Sequence, residues 1–279
     1  MASPQLVIVP SLDPNMAGAV VWWRLSGGVS HERLQEAWAE AGLDVKLLPL
    51  PPTPEQALRR SMREQEERRK LVRPLGNGKW ALVQEKVEAD DLAYSTELKV
   101  GTNAVGEVEF DPAGHALEPA IREAFAQHSG QLSQGDISTW LVERVFAEQA
   151  VSLRDTGGIY FVPREHLESW RTVVRVLRSA SSHALFEVPA LRTDEAVDAI
   201  LDAVSNEAKD DIQNLEKALE GDELGARALS NRSDKAGRML EKLKSYESLL
   251  GRSLDVFRER LESLQTELAT AALAAGSDE

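Results

Sequence analysis

The stretch TDEAVDAILDAVSNEAKDDIQNLEKALE, residues 193–220, decides how this chain is read. Val197, Leu201, Val204, Ala208, Ile212, Leu215 and Leu219 recur every three or four residues, the spacing that lines one face of a helix. Thr193 suits an N-cap, and Asp194 and Glu195 follow where acidic groups favour the positive helix start. Gly221-Asp222 interrupts the pattern and Leu224 resumes it. A second stripe runs through Ala228, Ala236, Met239, Leu243, Tyr246 and Leu250. Together they predict a long antiparallel helical hairpin, coiled-coil-like, over residues 191–273. It turns at Gly221 and sets Leu219 against Leu224, Val204 against Met239 and Val197 against Tyr246.

The first helix is about 40 Å long at the helical rise, and the second, continued to Ala272, roughly 70 Å. The second therefore overshoots its mate from near Gly251. Beyond that point Leu254, Phe257, Leu261, Leu264 and Leu268 form a 3-4 repeat. The four-residue step from Leu250 to Leu254 rotates the seam onto a new face. An apolar seam needs a neighbour: the protein's own globular part, a second copy, or a foreign protein. These five residues are the expected protein interface.

Composition sets outer limits. The 279 residues are 42% hydrophobic and 28% charged, which fits one large or two modest globular domains. Cysteine is absent, which excludes disulfides, thiolate metal sites and a cysteine nucleophile. No stretch approaches the roughly 20 apolar residues of a membrane span. Leu6-Val7-Ile8-Val9 is too short for a signal peptide and lacks its basic start. The expectation is a cytoplasmic protein without a membrane partner. Net charge is −14, and residues 191–279 hold 12 basic against 20 acidic groups. Broad nucleic-acid binding needs a local excess of Lys and Arg, so it is disfavoured, while a basic patch elsewhere stays compatible.

Upstream of the hairpin the pattern is mixed α+β. Residues 1–112 read as one domain, 113–190 as a middle module, and 274–279 as a disordered tail. Leu6–Pro10 and Ala19–Leu25 look like buried strands, the second carrying Trp22-Trp23, of which one faces inward and the other outward. Ser30 caps a helix over 32–42. Val45–Leu48 reads as a further strand, followed by the rigid run Pro49-Leu50-Pro51-Pro52. Thr53-Pro54-Glu55-Gln56 is a capping box with proline at the first helical position, opening a helix to Lys70. Two hairpins follow, 71–75 with 79–87 around Gly76-Asn77-Gly78, and 94–100 with 105–110. A small antiparallel sheet with helices is the outcome.

The middle module runs helix (116–127), helix (137–149), two strands (151–154 and 159–162) around Gly157-Gly158, then helix (165–179). This α-α-β-β-α order resembles the layout of a winged helix, with the glycine turn as the wing. The resemblance implies a possible nucleic-acid contact through Arg154, Arg164, Arg171, Arg175 and Arg178. The last three share a helical face by i, i+4, i+7 spacing and could track a phosphate backbone. Trp140 and Trp170 are the expected small core of this module.

Candidate chemistry is thin. Gly157-Gly158 is a hairpin turn rather than the longer glycine loop that cradles phosphate. The five histidines are scattered, without a metal-ligand spacing. No serine sits in the strand-turn-helix elbow of a hydrolase. Asp90-Asp91 and Asp210-Asp211 read as a hairpin boundary and a solvated face. The basic run Arg59–Lys70 reads as a helix laced by Arg63–Glu67 and Glu64–Arg68 pairs. The sequence therefore predicts an α+β protein without catalytic, cofactor or metal residues. It would act as an adaptor, scaffold or assembly subunit through protein partners or self-association, with nucleic-acid binding as the alternative.

Overall fold

The computed structural model describes residues 15–88, 91–220 and 225–275. In chain order they form β1 (Met16–Arg24), β2 (Val29–Ser30), α1 (His31–Glu40), α2 (Pro54–Arg63), β3 (Lys70–Gly76), β4 (Lys79–Glu88), β5 (Asp91–Thr102) and β6 (Val108–Asp111). Then come α3 (Glu118–Ser129), β7 (Gln131–Leu132), α4 (Gln134–Ala147), β8 (Val151–Ser152), β9 (Ile159–Pro163), α5 (Leu167–Ala180) and β10 (Ala184–Leu191). Three long helices close the chain: α6 (Asp194–Glu220), α7 (Ala226–Leu250) and α8 (Asp255–Ala275). Every strand pair is antiparallel, so the class is α+β. The strand expected at Leu6–Pro10, Asp90, the Gly221–Leu224 turn and residues 276–279 lie outside the described residues.

Packing divides the chain into two compact units. One takes Met1–Arg24, Leu141–Val174 and Ala184–Glu279; the other takes Leu25–Trp140 and Arg175–His183. Residues 113–190 are therefore shared out between the units, with α4 and α5 each contributing to both.

The unit built on residues 25–140 holds the sheet β3-β4-β5-β6, whose two hairpins fall where turn chemistry puts them. Asn77 and its flanking glycines all take positive φ, which is why this turn needs Gly-Asn-Gly. Leu58 and Met62 of α2 and Ile121 of α3 pack against Val72, Leu82, Leu98 and Val100 of the sheet. The capping box forms as read, with Thr53 Oγ1 accepting from Gln56 N and Gln56 Oε1 accepting from Thr53 N.

Two expectations in this unit are corrected. The helix α2 ends at Arg63 rather than Lys70, because the chain turns at residues 64–65 and Glu67 bridges back to Lys70. The helical pairs Arg63–Glu67 and Glu64–Arg68 are thus not made, and Glu64 bonds His128 at 2.8 Å. The segment Val45–Leu47 is a 3-10 turn, not a strand, since the Asp44 carboxylate accepts from Lys46 N and caps it. Trp38 and Trp140 meet edge to face above it at 5.5 Å, their indole N–H groups donating to the carbonyls of Asp44 and Leu47.

The other unit sets the four-stranded sheet β10-β1-β9-β8 against a three-helix bundle. The paired C-terminal helices are present, but the continuous second helix is not. At Gly251 the backbone takes φ +65°, a left-handed C-cap that glycine adopts without strain, and the chain reverses. The four-residue step from Leu250 to Leu254 is therefore a turn, and α8 runs back along α7. Leu261, Leu264 and Leu268 are fully buried, Leu254 is 4% exposed, and Phe257 packs on the same core with α6 and α7. The seam read as unmatched is matched inside the chain. Its central helix α7 also buries Leu229, Leu240 and Leu249, which lie outside the stripe read from sequence.

Candidate interaction surface

Alternation along β1 puts Ala19, Val21 and Trp23 on one face of the sheet and Gly18, Val20, Trp22 and Arg24 on the other. The first face is filled. Trp23 stacks on Tyr160 at 5.2 Å and lies 6.2 Å from Trp170 of α5. On β10 the same face carries Leu185, which is buried, and Glu187, which takes Arg171 of α5 at 2.6 Å. Trp170 thus belongs to this layer while Trp140 pairs with Trp38. Trp140 falls in one unit and Trp170 in the other, each with its own ring partners.

The second face is covered only in part. Phe161 of β9 meets Tyr246 of α7 at 6.3 Å, and Val151 and Ala17 join the bundle core there. A polar clamp fixes the helices to this end. Lys242 Nζ donates to the Ala150 carbonyl at 2.7 Å and to both Glu207 oxygens at 2.7 and 2.9 Å. Tyr246 donates to the carbonyl of Gln149, whose φ is +57°. Burial pushes the Glu207 carboxyl up and the Lys242 ammonium down, against their mutual attraction.

Beyond the bundle the face opens. Trp22 and Phe186 sit opposite each other in the β1–β10 register and stack at 5.2 Å with 15° between their planes. On this face Phe186 is 39% and Val188 45% exposed, while Leu191, on the opposite face by alternation, is also 45% exposed. The strand β10 stands at the end of the sheet order, with β1 as its neighbour. Pro189 lies within it, the residue that edges tolerate and central strands do not. The stretch Ala184–Leu191 is apolar apart from Glu187 and contains a proline, so its sequence carries no strand alternation. Of the tryptophan pair, both are half-buried, each through a ring partner on a neighbouring strand.

The arginines named from sequence fall into two groups. Arg154, Arg164 and Arg171 belong to the bundle unit, Arg175 and Arg178 to the other. Arg171 is committed to Glu187 and Glu168, and the hydrogen bonds it donates to Glu187 drive its already high pKa further up. Arg154, Arg164, Arg175 and Arg178 are exposed. The strand β9 joins β8 on one side and β1 on the other, so the β8–β9 hairpin is part of the larger sheet. The structure brings Leu254, Phe257, Leu261, Leu264 and Leu268 together, in a core rather than on a surface.

Among the described residues no helix is long and apolar enough to cross a membrane. The fold thus defines an α+β protein with an antiparallel sheet braced by a C-terminal helical bundle. The chain belongs to the family described as "Family of unknown function (DUF6744)", whose model matches residues 16–277. No curated protein and no solved structure matches it.

Proposed function

We propose that this protein acts by binding rather than by chemistry of its own, as an adaptor, scaffold or assembly subunit. The observation that carries the reading is β10, an edge strand presenting Phe186, Val188 and Leu191 to solvent. Apolar side chains held out to solvent on the last strand of a sheet give another chain a surface to pack against, and their alternate positions give selectivity. The C-terminal helices support this surface instead of forming it, since their apolar seam is spent on one another.

The test compares the wild type with a Phe186→Ser, Val188→Ser double variant, both confirmed folded by melting. Sedimentation across a concentration series reads self-association, and quantitative affinity capture reads other partners. Loss of the assembly, or of specific captured proteins, in the double variant supports the reading. Equal behaviour of both chains removes β10 as the interface.

A second reading is nucleic-acid binding through a winged-helix-like module over residues 113–190. The exposed Arg154, Arg164, Arg175 and Arg178 and the α3-α4-β8-β9-α5 order favour it. The pairing of β9 with β1 and the commitment of Arg171 to Glu187 weigh against it. Anisotropy of labelled single- and double-stranded DNA and RNA at low and moderate salt decides. Steeply salt-sensitive binding, weakened by Arg175→Glu or Arg154→Glu, would favour this second reading.

A further inference from the structure

The run Leu48-Pro49-Leu50-Pro51-Pro52-Thr53-Pro54 joins the 3-10 turn to α2 in the unit built on residues 25–140. Its conformation follows from its chemistry. Each proline ring fixes φ near −65°, and a residue before proline is driven to extended ψ. Leu48, Leu50, Pro51 and Thr53 all precede a proline. The two ends show the result: Leu48 has φ −70°, ψ 150° and Thr53 has φ −70°, ψ 156°. These are polyproline II values.

After a half-buried Leu48, exposure from Pro49 to Pro54 repeats with the three-residue period of that helix. Pro49 and Pro52 are half-buried, while Leu50, Pro51, Thr53 and Pro54 are exposed. One edge therefore rests on the protein and the other two face solvent. Leu50 is 86% exposed, more than any other large hydrophobic side chain among the described residues. The segment is held at both ends. His31 Nε2 donates to the Pro49 carbonyl at 3.1 Å, Trp140 donates to Leu47 at 2.8 Å, and the Thr53–Gln56 capping box fixes the exit. Among the described residues, the carbonyls of Leu50, Pro51 and Pro52 accept no hydrogen bond from the chain.

We infer that residues 48–54 are a docking segment for a partner protein domain whose groove is lined by aromatic side chains that take polyproline II helices. The exposed dipeptides Leu50-Pro51 and Thr53-Pro54, one turn apart, fill successive slots between the groove's aromatic rings. Indole and phenol donors in the groove meet the open carbonyls. Because the segment is already ordered at both ends, its docking forgoes most of the ordering cost a free peptide incurs. A connector serving only as a spacer has no need of an apolar side chain held out in water at Leu50. This inference is independent of the β10 reading, which concerns the other unit.

The test titrates the full chain into a panel of purified SH3 and WW domains, which serve as aromatic-groove probes, by biolayer interferometry. Saturable binding to at least one domain is expected, competed by a peptide of residues 46–57. Leu50→Asp and Pro51→Ala should each weaken it by at least about tenfold. Leu75→Asp, at another exposed leucine, should leave it unchanged. Melting curves should match the wild type, since Leu50 makes no core contact. Absence of saturable binding across the panel, or equal binding by Leu50→Asp, overturns the inference.

Discussion

Lys242 of α7 and Glu207 of α6 meet in a two-pronged contact of 2.7 and 2.9 Å, and the same ammonium reaches the Ala150 carbonyl. This is a buried cation shared between two helices and the chain entering β8. Removing one partner strands the other charge. Glu207→Ala should cost about 3 kcal/mol in denaturant unfolding, while Glu207→Leu with Lys242→Met should recover most of it. The pH dependence has a definite sign. Burial holds the folded-state pKa of Lys242 below the usual 10.5, so the unfolded chain binds more protons in between. The deficit of Glu207→Ala should therefore shrink as pH rises toward 10.5. A deficit that grows over that range would contradict this account.

Asp136 gathers three donors at the start of α4: Ser133 N at 2.7 Å, Ser133 Oγ at 2.9 Å and Arg60 at 2.5 Å. Burial alone would raise its pKa, but these bonds outweigh it and hold the carboxyl below the ordinary 3.8. A depressed carboxylate stabilises the fold above its unfolded pKa and loses that contribution as pH falls through the folded one. Asp136→Asn should thus melt lower than the wild type at neutral pH, by about 1–2 kcal/mol. The gap should close below pH 3.8. Acid melting series on both chains check it.

Local chemistry made much of this fold readable. The Thr53 capping box, the Gly-Asn-Gly hairpin turn and the 3-4 stripe of α6 each depend on residues adjacent in sequence, and each formed. What failed depended on distant partners. A glycine at 251 is compatible with a continuing helix on propensity alone; the turn there and the return of α8 along α7 depend on packing between the two helices. The Val45 segment looked like a strand until Asp44 capped it as a turn. The exposed face of β10 was hidden for the same reason. Which side of Ala184–Leu191 meets water depends on β1, more than 150 residues upstream. The polyproline run, by contrast, was legible as rigid, since proline imposes its conformation without help.

Gly18 shows how tightly β1 is held. A Cβ there would lie 2.1 Å from the Val162 carbonyl oxygen and 2.7 Å from the Phe161 ring. The nearer atom is backbone of a paired strand, so no side-chain rotation relieves it. Gly18→Ala should destabilise the fold by about 3 kcal/mol, at the upper end of overpacking costs. Gly27→Ala meets no atom within 4 Å and carries only the strain of φ +72°. It should cost about 1–2 kcal/mol. Parallel urea unfolding of the two variants tests the ranking, and similar losses would argue against close packing at Gly18.

The C-terminal seam separates a core from an interface by the kind of damage it suffers. Leu264 has no exposed surface and packs with α6 and α7 side chains, so Leu264→Ala should cost about 2–5 kcal/mol through lost contact and a cavity. An interface residue behaves otherwise: its truncation leaves the free protomer's melting intact and changes sedimentation. The Leu261→Asp, Leu264→Asp pair should unfold the bundle, since two carboxylates cannot be buried unpaired. Val256→Ala on the same helix is a control at a side chain 78% exposed. It should stay within about 0.5 kcal/mol of the wild type. If the double aspartate variant instead melts normally and only loses an oligomer, α8 detaches from α7 in solution and the seam serves as a docking face.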